Sequence, residues 1–476
     1  MNAIEQTLLL LAKKINVQFF RIERLPQSGS NRQYFRIFSE NETIIGVFNH
    51  DVKENNAFFS FTNYFISQNI KVPKIISVDD TKQFYLLDDL GDETLFSYLT
   101  THRNKDIIDD NVVAYYKKVL QQLPQLQLSG KKGVDFSVCY PRNAFDKQSM
   151  LWDLNYFKYY FIKLVNISFD EQLLEDDFHA FADFLLEAEK DYFMFRDFQS
   201  RNIMLYNDKP YLIDYQGGRK GALQYDVASL LFDAKADMPP QLREELLHYY
   251  LEQLSKHISV YKEDFLHYYY GFVLIRILQS LGTYGFRGYY EKKSHFLQSI
   301  PFAIINLKYL FSKFPFSFKI PTLTDVIKRI IDSDFVSSCS LPENVLTVTI
   351  TSFAYKNGIP QDMSTNGGGF VFDCRALPNP GRLSEYKDTT GKDKNVVDYM
   401  ERFKEIEIFK ELSTKLVSQS VDNYLKRDFS HLMVNYGCTG GQHRSVYFAE
   451  KTREFLQKNY PVINILLTHR ELITKR

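Results

Sequence analysis

The sequence predicts an α/β (α+β) chain made of two successive units. Three observations predict it. A strand, turn, strand, hairpin, strand pattern runs through RIERLPQSGSNRQYFRIFSENETIIGVF near the amino terminus. The stretch from about residue 93 to 335 is helical in periodicity, interrupted by short apolar runs that end in aspartates. Beyond DSDFVSSCSLPEN the character changes to the β-branched run VLTVTITSFAY. At 476 residues the chain has room for two or three full cores.

Taken in order, residues 1–20 read as an amphipathic helix, followed by the three strands. Ser28, Gly29, Ser30 and Asn31 form a small-residue loop between the first two strands, where backbone N–H groups can cradle phosphates. KENNAFFSFTNYFISQN reads as a helix opening near Glu54, QFYLLDDLG as a strand, and Asp88-Asp89-Leu90-Gly91-Asp92 as a connector. The expected divisions are residues 1–92, 93–338 and 343–476. In the last of these, FVFDCRALPNPGR and HLMVNYGCTGGQHRS read as strand-to-loop junctions of an α/β domain. The 41 Phe and 32 Tyr run through all the helical segments, so they are expected to fill cores rather than stack on bases.

Lys plus Arg and Asp plus Glu both number 58, a balance that favours neither nucleic acid nor an anionic membrane globally. The four cysteines, Cys139, Cys339, Cys374 and Cys438, form no C-x-x-C pair, which argues against a zinc site or disulfide framework and for a reducing compartment. MNAIEQTLLLLAKK carries its acid before the apolar run and its lysines after it, the reverse of a secretory signal, and no stretch approaches a membrane span. The expectation is a soluble, cytoplasmic protein with no membrane partner.

The chemistry concentrates in FRDFQSRNIM (195–204) and YLIDYQGG (211–218). Phosphoryl transfer from a nucleotide needs one carboxylate at the attacking hydroxyl, and an amide oxygen and second carboxylate to hold magnesium on the phosphates. Asp197, Asn202 five positions later, and Asp214 after an apolar strand supply that set in that order. Glu54 and Asp89 join the small-residue loop as candidate nucleotide-binding positions. The strand TIIGVF lacks the lysine that usually contacts the phosphates, and Lys53 belongs to the following helix.

GSNRQYFRI, LLDDLGDETL, RDFQSRN and LIDYQGG resemble the aminoglycoside phosphotransferase-like kinases, over residues 1 to about 335. RDFQSRNIM, IDYQGGRKGALQYDVASLLFDAKADMP and MLWDLNYFKYYF are especially similar to cell-wall sugar kinases that phosphorylate N-acetylmuramate and N-acetylglucosamine at the anomeric hydroxyl. The resemblance implies a protein-kinase-like bilobal fold, ATP and Mg2+ as cofactors, and an amino sugar as substrate. It assigns Asp197 to the sugar hydroxyl, Asn202 and Asp214 to magnesium, and Asp226 to holding the catalytic loop; Arg196 stands where this superfamily commonly has histidine and is read as a structural ion pair. A nucleotide-binding regulator with weak or no kinase activity is the alternative, motivated by the missing lysine and by Arg196 in place of histidine.

In NYGCTGGQHRSV, a strand runs into a glycine-bearing loop that opens a helix, an arrangement that aims amides at an anion. Cys438 to Arg444 also has the C-x5-R spacing of cysteine phosphatases, with Asp373 as the available acid. Phosphate binding, phosphatase chemistry and a purely structural turn are all compatible with this loop. SFAYKNGIP, FVFDCRALPNP, the GKD segment and GCTGGQHRSVYFAE resemble the carboxy-terminal domain of the RapZ family of RNase adapters over residues 345–473. This implies a sugar-phosphate-sensing domain, with Asp373, Arg375, Asn379, Cys438, Gly440, Gly441, His443 and Arg444 as candidate ligand positions. It also implies possible roles in RNA binding and homo-oligomerisation. Residues 343–476 carry 19 Lys and Arg against 16 Asp and Glu, too even a balance to favour RNA strongly.

Overall fold

The first helix, α1 (Ala3–Lys13), starts at a reciprocal cap in which the Asn2 side chain accepts from the Glu5 N–H and the Glu5 side chain accepts from Asn2 N–H. Its buried Leu8, Leu11 and Ala12 pack on Phe35, Ile37, Ile44 and Leu86, the inward residues of an antiparallel sheet. That sheet comprises β1 (Phe19–Arg24), β2 (Gln33–Ser39), β3 (Thr43–Phe48), β4 (Ile75–Val78) and β5 (Phe84–Asp88), in the order β1-β2-β3-β5-β4. The computed structural model describes the chain except residues 1, 16–18, 27–31, 41, 105–106, 292, 315–318, 334–345, 361–368, 428 and 474–476. It divides into one unit formed by Met1–Thr283 and Phe302–Ile331, and a second formed by Tyr284–Pro301 and Asp332–Arg476.

Between β3 and β4 lies α2 (Val52–Ser67), capped by Asp51, whose carboxylate accepts from the N–H groups of Lys53 and Glu54. The helix presents Phe58, Phe61 and Phe65 inward. Phe58 stacks on Tyr215, Phe61 and Phe65 meet Phe193 edge to face, and Thr62 Oγ1 lies 2.6 Å from Tyr215 Oη. The aromatic content therefore builds the core that joins α2 to the strands carrying the aspartates.

The rest of the first unit is mainly helical. Helices lying wholly or mainly within it are α3 (Leu95–Thr101), α4 (Asp110–Leu128), α5 (Lys147–Phe157), α6 (Glu171–Leu186), α7 (Leu223–Leu231), α8 (Pro240–Ser255), α9 (Lys262–Gly285), α10 (Ile300–Lys313) and α11 (Pro321–Ile331). Of the small antiparallel pairs set among them, two bear on the site. One joins β6 (Tyr192–Met194) to β9 (Arg219–Gly221), and the other joins β7 (Ile203–Tyr206) to β8 (Lys209–Leu212). The β7–β8 turn is Asn207-Asp208, both at positive φ (49° and 58°), the left-handed pair a two-residue hairpin requires.

The second unit contains a four-stranded all-parallel sheet of β10 (Thr347–Ala354), β11 (Gly369–Asp373), β12 (His431–Cys438) and β13 (Asn464–His469), ordered β11-β12-β10-β13. The central strands are almost wholly buried, as a parallel sheet covered on both faces demands. The helices α12 (Lys394–Met400), α13 (Lys404–Lys426) and α14 (Arg444–Asn459) supply Val396, Met400, Val417, Val421, Phe448 and Leu456 to its core. Among the described residues no helix is long and apolar enough to cross a membrane.

Candidate active site

Asp197 follows β6 at the end of a strand too short and too buried to move independently, with all three of its residues inaccessible. The turn into Asp197 is held from behind. Asp226, in α7 and fully buried, accepts from the backbone N–H of Phe195 at 2.8 Å and of Arg196 at 3.1 Å. Arg196 adopts φ 81°, an unusual conformation for a non-glycine residue and one sustained by these surrounding bonds. Its guanidinium reaches Asp153 Oδ1 at 2.6 Å and Tyr225 Oη at 2.7 Å, so Arg196 faces away from the cleft into a structural ion pair. The Asp197 carboxylate, by contrast, stays about half exposed, with Arg276 Nη2 from α9 at 3.7 Å.

Asn202 is tied to the same turn. Its Nδ2 donates to the Asp197 carbonyl oxygen at 2.8 Å, which leaves the amide oxygen as an acceptor. The Asn202 carbonyl in turn accepts from Ile213 N–H at 3.0 Å, which carries the next residue, Asp214, to the same edge. Asp214 has φ 69°, and its Oδ1 accepts from Gln216 Nε2 at 2.7 Å. Desolvation pushes the Asp214 carboxyl above its ordinary value, and the charges of Asp197 and Glu54 push the same way. The Gln216 hydrogen bond and the Arg32 charge oppose it. The oxygens gathered at this edge are an amide oxygen and carboxylate oxygens, the hard ligand set that suits magnesium.

Glu54 is not free. Its Oε1 lies 3.0 Å from Arg32 Nη2, and its Oε2 accepts from Asn49 Nδ2 at 2.8 Å. Arg32 also places Nη1 3.7 Å from Asp214 Oδ1, and its side chain is only 2% exposed. Sequence spacing does not single out this arginine, although it directly follows Ser28 to Asn31, a position where a buried cation has few roles other than ion pairing. Asp89, expected beside a nucleotide, has its carboxylate gripped by Arg36 at 2.6 and 3.0 Å, while Gly91 N–H donates to the same group at 3.0 Å. This pairing braces the connector against β2, and a nucleotide contact through the Asp89 side chain would have to break it. Ser28, Gly29, Ser30 and Asn31 lie outside the described residues.

In the second unit β12 delivers Cys438 to a loop that opens α14, the strand, loop, helix order expected from the sequence. The thiol is buried. Cys438 Sγ accepts from Gly441 N–H at 3.1 Å and lies 3.2 Å from Ser445 Oγ. Gly441 has φ +69°, and a Cβ there would stand 2.2 Å from Glu471 Cγ and 2.9 Å from Ala354 N, so only glycine fits. Arg444 Nη1 is committed to the carbonyls of Cys374, Arg375 and Leu377 at 3.2, 2.8 and 3.0 Å, leaving its Nε without a partner among the described residues. The same arginine thus fastens the loop after β11. In that loop Arg375 pairs with Asp373 at 2.7 Å and lies over the Tyr355 ring, and Asn379 Oδ1 accepts from Gly381 N–H. His443 Nε2 lies 2.9 Å from the Tyr386 carbonyl oxygen, and among the described residues nothing beyond the adjoining residues lies within 4 Å of a Cβ built on Gly440.

The chain matches the family model of phosphotransferase enzymes over residues 21–262 and that of the RapZ C-terminal domain over residues 346–473. Among curated proteins, a nucleotide-binding protein of Endomicrobium trichonymphae is 38% identical over 148 residues, covering 31% of this chain and 48% of that protein. A nucleotide-binding protein of Staphylococcus aureus strain JH9 is 40% identical over 125 residues, covering 26% of this chain and 39% of that protein. The chain therefore spans about half the length, or less, of these curated relatives. Among solved structures, choline kinase LicA from Streptococcus pneumoniae is 15% identical, with a TM-score of 0.42 over 65% of this chain and 99% of that one. A choline/ethanolamine kinase family protein from Mesorhizobium loti is 12% identical, with a TM-score of 0.45 over 69% of this chain and 99% of that one.

Proposed function

Because this chain belongs to the phosphotransferase enzyme family and carries a RapZ C-terminal domain, we propose that its first unit is an ATP- and magnesium-dependent kinase of a small-molecule hydroxyl. We assign as acceptor an amino sugar of the N-acetylmuramate or N-acetylglucosamine type, phosphorylated at the anomeric position. The observation that carries the kinase reading is the tie of Asn202 to the Asp197 carbonyl, with Asp214 brought alongside through Ile213. It gathers a base and two oxygen ligands onto one rigid edge. The acceptor assignment rests on the similarity of the catalytic-loop wording to that of the cell-wall sugar kinases.

In this reading Asp197 accepts the proton of the acceptor hydroxyl as its oxygen attacks the terminal phosphorus in line, and ADP leaves from the opposite side. The nearby Arg276 orients the Asp197 carboxylate, while Asp226 and Arg196 keep the turn in its strained conformation. Asn202 and Asp214 would hold magnesium, which supplies charge neutralisation on the phosphates. No covalent enzyme intermediate is required. In the second unit, the loop between Cys438 and Arg444 and the facing Asp373–Asn379 loop form the proposed sugar-phosphate site. That site would couple metabolite level to kinase output or to self-association.

The test is to incubate wild type and Asp197→Asn with Mg-ATP and a panel of N-acetylmuramate, N-acetylglucosamine, glucosamine and an aminoglycoside, then identify products by mass spectrometry and phosphorus NMR. A sugar 1-phosphate formed by the wild type and reduced roughly 100-fold or more in the variant is the expected result. Product from the aminoglycoside alone would move the acceptor assignment, and turnover unaffected by Asp197→Asn would remove the mechanism.

A further inference from the structure

The first unit lacks a basic residue on β3, whose sequence is TIIGVF, and Lys53, in the first turn of α2, is solvent-exposed with its ammonium 5.9 Å from the Tyr140 ring centroid. A kinase of this kind still needs a cation on the nucleotide phosphates, usually paired with a glutamate from the helix after β3. The helix glutamate is present as Glu54, and its partner is Arg32, immediately before β2. We propose that Arg32 is the phosphate-binding cation of this unit, contributed from the start of β2 rather than from β3, with a guanidinium in place of an ammonium.

Three features of the geometry carry this. Arg32 bridges the two functional acids, with Nη2 3.0 Å from Glu54 and Nη1 3.7 Å from Asp214, and Nη1 also donates to Tyr34 Oη at 3.2 Å. Among the described residues its buried Nε has no hydrogen-bond partner, and Nη2, although paired with Glu54, makes no hydrogen bond of acceptable geometry, an arrangement that is costly in a finished core and is relieved by an anionic acceptor. Asp214, the neighbour on its Nη1 side, retains 43% side-chain exposure, so the cation sits directly behind the open face of the metal-binding edge. A planar five-donor fork can hold Glu54 on one side and phosphate oxygens on another, which a lysine could not do with the same two-sided geometry. Glu54 is itself fixed by Asn49 and by the capped start of α2, so the cation is preorganised.

The inference rests on the kinase reading above, and its test separates the two. Arg32→Lys and Arg32→Met proteins would be compared with wild type for kcat/KM with Mg-ATP and for calorimetric binding of ATP, ADP and adenosine. Fluorescence of Trp152, the one tryptophan, would be followed through urea unfolding of each. A phosphate contact predicts a roughly 10- to 100-fold loss of ATP affinity or kcat/KM in Arg32→Met, with adenosine binding unchanged and Arg32→Lys intermediate. Equal loss of ATP and adenosine binding would make Arg32 a structural strut and overturn the proposal. ATP binding and turnover unchanged in both folded variants would overturn it while leaving the kinase reading intact. A wild type that binds no nucleotide would overturn both.

Discussion

Replacing Asp226 by alanine should both destabilise the first unit and disable its catalytic turn. The carboxylate is completely buried and accepts from two backbone N–H groups, those of Phe195 and Arg196, that precede Asp197. Deleting it leaves two buried donors without an acceptor, at about 1–3 kcal/mol each, so roughly 2–6 kcal/mol in all. The same site has a pH signature. Burial raises the Asp226 carboxyl to about 7, despite the opposing backbone bonds. Because the folded value lies above that of the unfolded chain, the native state binds more protons between the two, and its contribution to stability declines as pH rises from about 4 to 7 before levelling off. Urea unfolding followed by Trp152 fluorescence reads the first unit specifically, since the only tryptophan lies in α5. Wild type should lose roughly 2–3 kcal/mol between pH 5 and 7 from this group, and Asp226→Asn should flatten that dependence. An Asp226→Ala protein destabilised by less than about 1 kcal/mol, or an Asp226→Asn protein with the full wild-type pH slope, would refute the reasoning.

Gly130→Ala should cost about 3 kcal/mol by Trp152-monitored unfolding, because the new Cβ would stand 2.4 Å from Phe193 N and 2.6 Å from Tyr192 C, backbone atoms of the strand that leads to Asp197. Arg444→Lys should destabilise the second unit by about 1–3 kcal/mol, since an ammonium cannot span the carbonyls of Cys374, Arg375 and Leu377. Faster proteolysis after residues 374–379 should accompany the loss, and wild-type resistance would count against it. In the same unit, His469 sits between Ser352 Oγ at 2.9 Å and Glu450 Oε1 at 3.1 Å, and desolvation lowers its imidazolium value against the pull of Glu450. A base depressed in this way contributes stability above its unfolded value near 6.5 and loses it as pH falls. Calorimetry should therefore show the second-unit transition moving down between pH 7 and 5, less steeply in His469→Gln.

The five-residue spacing from Asp197 to Asn202, the apolar runs before both aspartates, the glycine-bearing loop after β12 and the strand-to-loop junctions of the second unit are all properties of adjacent residues. Short-range periodicity and turn chemistry determine such features, and they were legible in the chain by itself. Ser28 to Asn31 lie outside the described residues, and the sequence beside them did not disclose what Arg32 does. That depended on α2 bringing Glu54, and the turn after β8 bringing Asp214, to the same guanidinium. Likewise Asp89 looked like a cofactor residue in its connector, and only the fold of β2 across it, with Arg36 three residues into the strand, claimed its carboxylate. Arg444 read as an anion ligand from its loop, while the tertiary structure assigns one edge of its guanidinium to carbonyls some 67 to 70 residues away in sequence. Local sequence specified which groups stand at the ends of strands. Long-range packing decided which of those groups face an open cleft and which are consumed as partners, because a buried charge is paired by whatever neighbour the closed core delivers.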